Sequence, residues 1–258
     1  MPVQFKYDYT IVVVMEHLFY SKLAKYYDKI YHYVDYKKQV DFFVRIIKKY
    51  NKSKNNKILD VACGTGVHVD LLKKQGFDIV GVDISNEMLK EAKKKNSDVQ
   101  LLLGDMKNLK VNEKFGTIII FFNSILYNKN KEELKKTTQN FYDHLDTGGI
   151  LIFDTVDKSI GINSKPEKGY EYHDDNLNIK FIPQWIFDKE NNVLDLEIDF
   201  IVNKEKLHDH HVMGAFSFQE LKNLIEEIGF KVMIMKKDYR ESEPYTTDTT
   251  AIFLCEKP

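Results

Sequence analysis

The sequence is poor in several things. It holds two cysteines, Cys63 and Cys255, among 258 residues. Two thiols exclude a disulfide framework and fit a reducing compartment, so a cytoplasmic location is expected. Long apolar runs are missing too. Ile11–Met15 is apolar for only five residues, far short of the roughly 18 that cross a bilayer, so no membrane partner is expected. Net charge is nearly absent: 38 Lys and Arg stand against 39 Asp and Glu. That balance removes any global electrostatic case for a nucleic-acid partner. The Lys93–Lys95 cluster reads as a solvated helix face. Repeats and low-complexity tracts are lacking. Residues 1–14 read as an edge strand or as an extension upstream of a start at Met15.

What is present is an ordinary globular composition, 43% hydrophobic and 30% charged, in a length that suits one elaborated domain or two small ones. Val40, Phe43, Val44 and Ile47 follow helical spacing, which predicts an amphipathic helix over 37–50. Short apolar strands then alternate with helices. Strands are expected at 58–62, 77–82, 99–103, 115–122 and 148–154. Ser85 reads as a helix N-cap, and Asn130 with Glu133 as a capping box. Leu134, Phe141 and Leu145 read as one helix face. Residues 165–214 alternate instead, as in Leu194, Leu196, Ile198 and Phe200, with a turn at Asn191-Asn192, and predict an antiparallel insertion. Ser217 with Glu220 opens a last helix that Gly229 ends, and strands at 230–236 and 250–256 follow. Alternating units of this kind predict an α/β fold with a mostly parallel, doubly wound sheet. Ligands of such sheets bind beyond the carboxyl ends of the strands.

Chemistry concentrates there. Asp60-Val61-Ala62-Cys63-Gly64-Thr65-Gly66 ends the first strand, and its glycines allow a tight turn and close approach of backbone to ligand. A Gly-x-Gly pair alone serves a dinucleotide, a nucleoside or a plain turn. Val69 stands where a dinucleotide fingerprint has a small residue. The Asp60 carboxylate would repel a pyrophosphate but attract the ammonium and sulfonium charges of S-adenosylmethionine. Asp83, about 20 residues past the loop, can accept from ribose hydroxyls. Asp105 can accept from an adenine amine, with Ile84 and Met106 on the ring faces and Met88 in ring contact or core. Cys63 reads as loop packing, since no partnered histidine activates it. His208 and His210 share a strand face and His211 does not, so no metal site is expected.

With these residues together, Ile58–Leu72, Val80–Leu89, Gly104–Met106, Phe115–Tyr127 and Leu145–Asp154 resemble the successive motifs of class I S-adenosylmethionine-dependent methyltransferases. The resemblance implies a Rossmann-like sheet of seven strands, the last antiparallel, with an N-terminal helical lid. It divides the chain into a lid segment (1–55), a cofactor-binding domain (56–160 and 215–258) and an antiparallel cap (161–214). Within that superfamily, Tyr20-Ser21, Tyr27-Asp28, Asp35-Tyr36 and the loop at 60–66 are similar to enzymes that dimethylate the amino group of nucleotide-linked sugars. Glycine N-methyltransferases share much of the loop, so the loop does not fix the substrate. Those sugar enzymes carry a histidine after the fourth strand, where this chain has Tyr127.

The resemblance implies S-adenosyl-L-methionine as cofactor, held by Tyr27, Tyr36, Asp60, Ala62, Gly64, Gly66, Asp83, Ile84, Met88, Asp105, Met106 and Phe122. It implies Tyr20, Tyr127 and His211 as candidate catalytic residues that orient or deprotonate the acceptor. The expected reaction is methyl transfer to a small-molecule acceptor, an amine nitrogen foremost, by a chain able to form a homodimer. The alternatives are a methyltransferase acting on RNA or protein, and an NAD-dependent oxidoreductase.

Overall fold

A computed structural model describes residues 17–162, 169–239 and 249–258. The strand or extension expected at 1–14 lies outside the described residues, as do 163–168 at the edge of the insertion. From residue 36 onward, apolar runs too short for helices alternate with runs of helical period. A single helical turn, α1 (Tyr27–Ile30), precedes α2 (Tyr36–Tyr50), which Asp35 caps by accepting from Lys38 N at 2.9 Å. Then come β1 (Lys57–Val61), α3 (Val67–Lys74), β2 (Asp78–Asp83), α4 (Asn86–Lys95) and β3 (Gln100–Leu103). After them follow β4 (Phe115–Ile120), α5 (Lys131–His144) and β5 (Leu145–Val156). Leu145, expected on the helix face, therefore opens a strand instead.

The insertion is a separate antiparallel sheet of four strands, β6 (Tyr170–His173), β7 (Asn178–Asp188), β8 (Val193–Val202) and β9 (Glu205–Gly214), paired in that order. Its β7–β8 turn contains Asn192 at φ 52° and is braced by Asp188, which accepts from Glu190 N and Asn191 N. The chain then returns through α6 (Phe218–Ile228), β10 (Lys231–Lys236) and β11 (Thr250–Glu256).

The main sheet has the order β3-β2-β1-β4-β5-β11-β10. Strands β1 to β5 run parallel, and β11 runs antiparallel to both neighbours. Period-two alternation sends Leu59, Ile118, Ile120, Leu151 and Phe153 to one face, against Leu134, Phe141, Leu221 and Ile225 of α5 and α6. It sends Ile58, Ile119, Ile150 and Ile152 to the other face, against Phe42, Phe43, Val69 and Leu72 of α2 and α3. Each such side chain, once buried, contributes about 1.5–3 kcal/mol. So α2, expected within the lid segment, is a layer of the main domain. The covering segment is shorter. Phe19, Leu23 and Ile30 pack into a third cluster with Ile179, Phe181, Ile198 and Phe200 of the cap sheet.

Two helix starts show what the sequence can specify. At α6 the capping box is complete: Glu220 N donates to Ser217 Oγ at 3.2 Å, and Ser217 N donates to Glu220 Oε2 at 2.7 Å. At α5 only half of the expected box forms. Asn130 accepts from Glu133 N at 2.9 Å, but the Glu133 carboxylate reaches Lys129 N rather than Asn130 N. No helix among the described residues is long and apolar enough to cross a membrane.

Candidate active site

The loop after β1 leaves the strand through Ala62 at φ 56° and turns through Gly64 at φ 54° and Gly66 at φ 73°. A Cβ on Gly66 would meet Asn96 Nδ2 at 2.8 Å and Ala92 Cβ at 3.0 Å, so both conformation and space require glycine there. The neighbouring strand end fixes the loop. Asp83 Oδ2 accepts from Gly64 N at 2.8 Å, and its Oδ1 accepts from Ser85 N at 2.8 Å. Burial pushes the Asp83 carboxyl up, while the N–H donors of Ser85, Gly64 and Ile84 pull it back. Asp60 is 3% exposed, and its Oδ2 makes no hydrogen bond. Burial, and then the Asp83 charge, hold its carboxyl well above the usual range. A buried carboxylate without a partner is costly and marks a place for a cation.

Asp105 caps the 3-10 turn Met106–Asn108 by accepting from Lys107 N at 2.9 Å. Ile84 is 61% exposed and Leu103 is 65% exposed, so two apolar side chains stand open at adjacent strand ends. Leu103 carried no motif and was not anticipated. Met88, read as ring contact or core, is 1% exposed on the buried face of α4. Met106 is half-buried against the main cluster. Cys63 is buried and bonds through its N–H to Val82 O, and burial pushes its thiol well up, as suits packing.

Over this rim lies the segment 17–35. Ser85 Oγ donates to Tyr20 O at 2.6 Å, while Asp28 takes the Thr65 hydroxyl and the Lys95 ammonium. Tyr27 and Tyr31 lie 4.7 Å apart, Tyr31 and Phe122 5.1 Å, and Tyr36 and Phe122 5.9 Å. The Tyr36 hydroxyl is buried without a partner. Phe122 and Asn123 both have positive φ, 58° and 60°. Asn tolerates this region, but Phe does not, so the strain at Phe122 after β4 has no sequence signature. Asn123 N is held by Asp154 Oδ1 at 3.0 Å, and its own Oδ1 is buried and unbonded.

The three candidate catalytic residues meet beside that rim. Tyr127 Oη lies 2.9 Å from Tyr20 Oη and 2.7 Å from His211 Nδ1. His211 Nε2 lies 3.2 Å from Asp209 Oδ2, off the line of a formed hydrogen bond, so this contact is electrostatic. Burial pushes the Tyr20 phenol up to about 12 and the Tyr127 phenol well above its usual value. Burial also lowers the His211 imidazole, against the pull of Asp209. For Asp209, burial works upward, but contacts from His17, His211 and Phe19 N prevail and hold the carboxyl well below its usual range.

Sequence reasoning missed Asp209 and His17. Asp209 and His211 are two apart on one strand and so share a face, a signal that was available. His208 and His210 point the other way and pair at 2.8 Å with Asp199 and Asp195.

His17, Asp209 and His211 lie within metal-ligand reach of one another. Their geometry suits an ion poorly. The imidazoles stack at 4.0 Å and 16°, so their in-plane lone pairs run side by side, whereas an ion about 2.1 Å from both nitrogens needs them to converge. Two surface clefts, of about 310 and 330 Å³, open at the amino ends of the strands and gather no comparable chemistry.

The sheet order, the glycine loop and the acidic strand ends are those of the class I S-adenosylmethionine-dependent methyltransferase fold. Residues 58–149 match the family described as a methyltransferase domain. The chain is similar to a dTDP-3-amino-3,4,6-trideoxy-alpha-D-glucopyranose N,N-dimethyltransferase of Streptomyces venezuelae, 38% identical over 95 residues, which are 37% of this chain and 40% of that enzyme. It is similar to a glycine/sarcosine N-methyltransferase of Aphanothece halophytica, 26% identical over 78% of this chain and 75% of that protein. Among solved structures it resembles an S-adenosylmethionine-dependent methyltransferase from Clostridium acetobutylicum ATCC 824, with a TM-score of 0.76 and 25% identity, covering 92% of this chain and 98% of that one.

Proposed function

We propose that this chain methylates an amine nitrogen of a small molecule, with nucleotide-linked amino sugars the first class of acceptor to test. One observation carries the reading: the unbroken run of short contacts from Tyr20 through Tyr127 to His211, beside the acidic rim. S-adenosylmethionine, when bound, supplies a methyl carbon made electrophilic by the sulfonium charge.

The residues fit that cofactor. The unpartnered Asp60 carboxylate and Tyr36 hydroxyl would hold its amino-acid end, one taking the ammonium and the other donating to the carboxylate. Asp83 would hold the ribose hydroxyls. Asp105, Ile84 and Met106, with Leu103, would hold the adenine, while the backbone at Ala62, Gly64 and Gly66 lets the ligand approach. Tyr27 and Phe122 would cover it. Met88 acts from the core below.

An ammonium cannot attack until it loses a proton. At rest Tyr127 Oη donates to Tyr20 Oη; once its hydroxyl turns to His211 Nδ1, Tyr20 can accept the ammonium proton while passing its own to Tyr127, which passes one to His211 Nδ1. His211 is suited to receive it, because burial keeps the ring neutral at pH 7. The cap and residues 17–35 exclude water from the exchange.

The test is turnover on an amine panel that includes dTDP-linked amino sugars and glycine, using the wild type and Tyr127→Phe. The expected result is methylation of a panel amine, with kcat about 100-fold lower in the variant and an unchanged dissociation constant for S-adenosylhomocysteine. Neutral His211 is the proton acceptor, so kcat rises with pH through its pKa. That limb lies on the acid side of the ordinary histidine value of 6.5, and Tyr127→Phe removes it. Full turnover by the variant would sink the proton path.

A further inference from the structure

Asp209 has a second connection besides His211. Its Oδ2 accepts from Phe19 N at 2.7 Å, across 190 residues of sequence. The same oxygen faces His211 Nε2 at 3.2 Å. Phe19 precedes Tyr20, whose hydroxyl begins the proposed proton path. One carboxylate oxygen thus touches both ends of that path: the backbone that carries Tyr20, and the ring that receives the proton.

We propose that Asp209 is a positioning residue that makes the proton path complete only when the N-terminal segment is docked. This rests on the reading of Tyr20, Tyr127 and His211 given above.

Asp209 acts first on docking. Phe19 is buried with its ring 5.2 Å from Phe200 and 5.8 Å from Phe181. Burial of that ring drives the segment onto the cap, but apolar contact is non-directional. The Phe19 N–H bond to a charged acceptor supplies the direction and sets where Tyr20 falls.

Asp209 acts second on the ring. His211 is wholly buried, and only one of its nitrogens can carry the proton while the ring is neutral. Although off the hydrogen-bond line, the Asp209 charge lies 3.2 Å from Nε2 and disfavours a bare lone pair there relative to an N–H. Nε2 therefore holds the proton, and Nδ1, turned to Tyr127, is left as the acceptor. A carboxylate that orients an imidazole in this way also stabilises the imidazolium that forms.

The groups facing His211 support this assignment. His17 stacks on it from the N-terminal segment, Tyr20 approaches edge-on at 5.4 Å, and Tyr127 bonds to it from the turn after β4. Asp209 and His210 are its titratable neighbours on β9, and its partner on β8 is the apolar Leu196. Asp209 is the one anion in this set. Its low pKa keeps it charged across the working pH range.

The experiment uses the full chain with S-adenosylhomocysteine and no acceptor. Nitrogen-15 NMR reads the His211 tautomer and titration, and hydrogen exchange reads the Phe19 amide. In the wild type, His211 should carry its proton on Nε2 and the Phe19 amide should be protected. Asp209→Asn keeps an acceptor for Phe19 N but removes the charge. Its His211 should titrate about one unit lower or more and lose the Nε2 preference, while Phe19 stays protected. Asp209→Ala removes both, so Phe19 protection should also fall by about tenfold or more.

An Nδ1-protonated His211 in the wild type overturns the proposal and needs no variant. So do wild-type His211 signals in Asp209→Asn, or undiminished Phe19 protection in Asp209→Ala. The two levels fail separately. A Tyr127→Phe enzyme with full turnover removes the path and this inference together. A slow Tyr127→Phe enzyme with undisturbed His211 in Asp209→Asn removes this inference alone.

Discussion

The cofactor rim and the proton path are neighbours built in opposite ways. The rim is made of consecutive strand–loop–helix units, so its geometry is set within and between adjacent units: Asp83 is held by Ser85 N two residues on and by Gly64 N of the neighbouring loop, and Asp105 by Lys107 N. The path draws Tyr20 from the covering segment, Tyr127 from the main domain, and His211 with Asp209 from the cap. A rim of local geometry keeps its binding shape whatever covers it. A path assembled from three segments exists only when all three are in place, which lets docking control the chemistry.

Substitutions can break or sharpen that contrast. The largest effect should come from Asp83→Ala, which leaves Gly64 N and Ser85 N without their acceptor. S-adenosylhomocysteine affinity should fall by about two orders of magnitude or more in calorimetry, while the Phe19–Asp209 bond survives in hydrogen exchange. If Phe19 protection disappears as well, the two regions are not independent.

Asp60→Asn should act more weakly and in two directions. Affinity should fall about tenfold, the scale of a lost charge-assisted hydrogen bond. The ligand-free melting temperature should not fall. The Asp60 pKa is raised in the folded state. Ionisation therefore costs stability as pH rises from the unfolded value through the folded one. A neutral isostere removes that cost, so a lower melting temperature above neutral pH would show that Asp60 has a partner.

Ser217→Ala should have the smallest effect. It removes the α6 cap at a cost of about 1 kcal/mol, a shift of roughly 2–4 °C in melting temperature. Affinity and kcat should not move. Any change in either would mean that α6 communicates with one of the two regions.

Legibility followed the same division. The order of elements, the loop glycines and Asp60, Asp83 and Asp105 could be read because each obeys a short-range rule of period, capping or turn chemistry. The positive φ of Phe122 could not, since an aromatic residue does not announce it. Met88 is buried on the face of α4 that its period assigned to burial. The lid was drawn too long because α2 has the same amphipathic pattern whether it covers a sheet or a ligand. Among the histidines, alternation separated His211 from His208 and His210, yet nothing along the chain brings Tyr127 or Phe19 N to it.

By itself, the sequence determined a mostly parallel sheet with a glycine loop and three carboxylates along one rim, because strand period, glycine turns and strand-end carboxylates act over a handful of residues. Only the tertiary structure decided which tyrosines and which histidine lie within hydrogen-bond distance of one another. Hydrogen bonds reach about 3 Å, and the segments that make these lie far apart until the cap and the N-terminal segment close over the sheet.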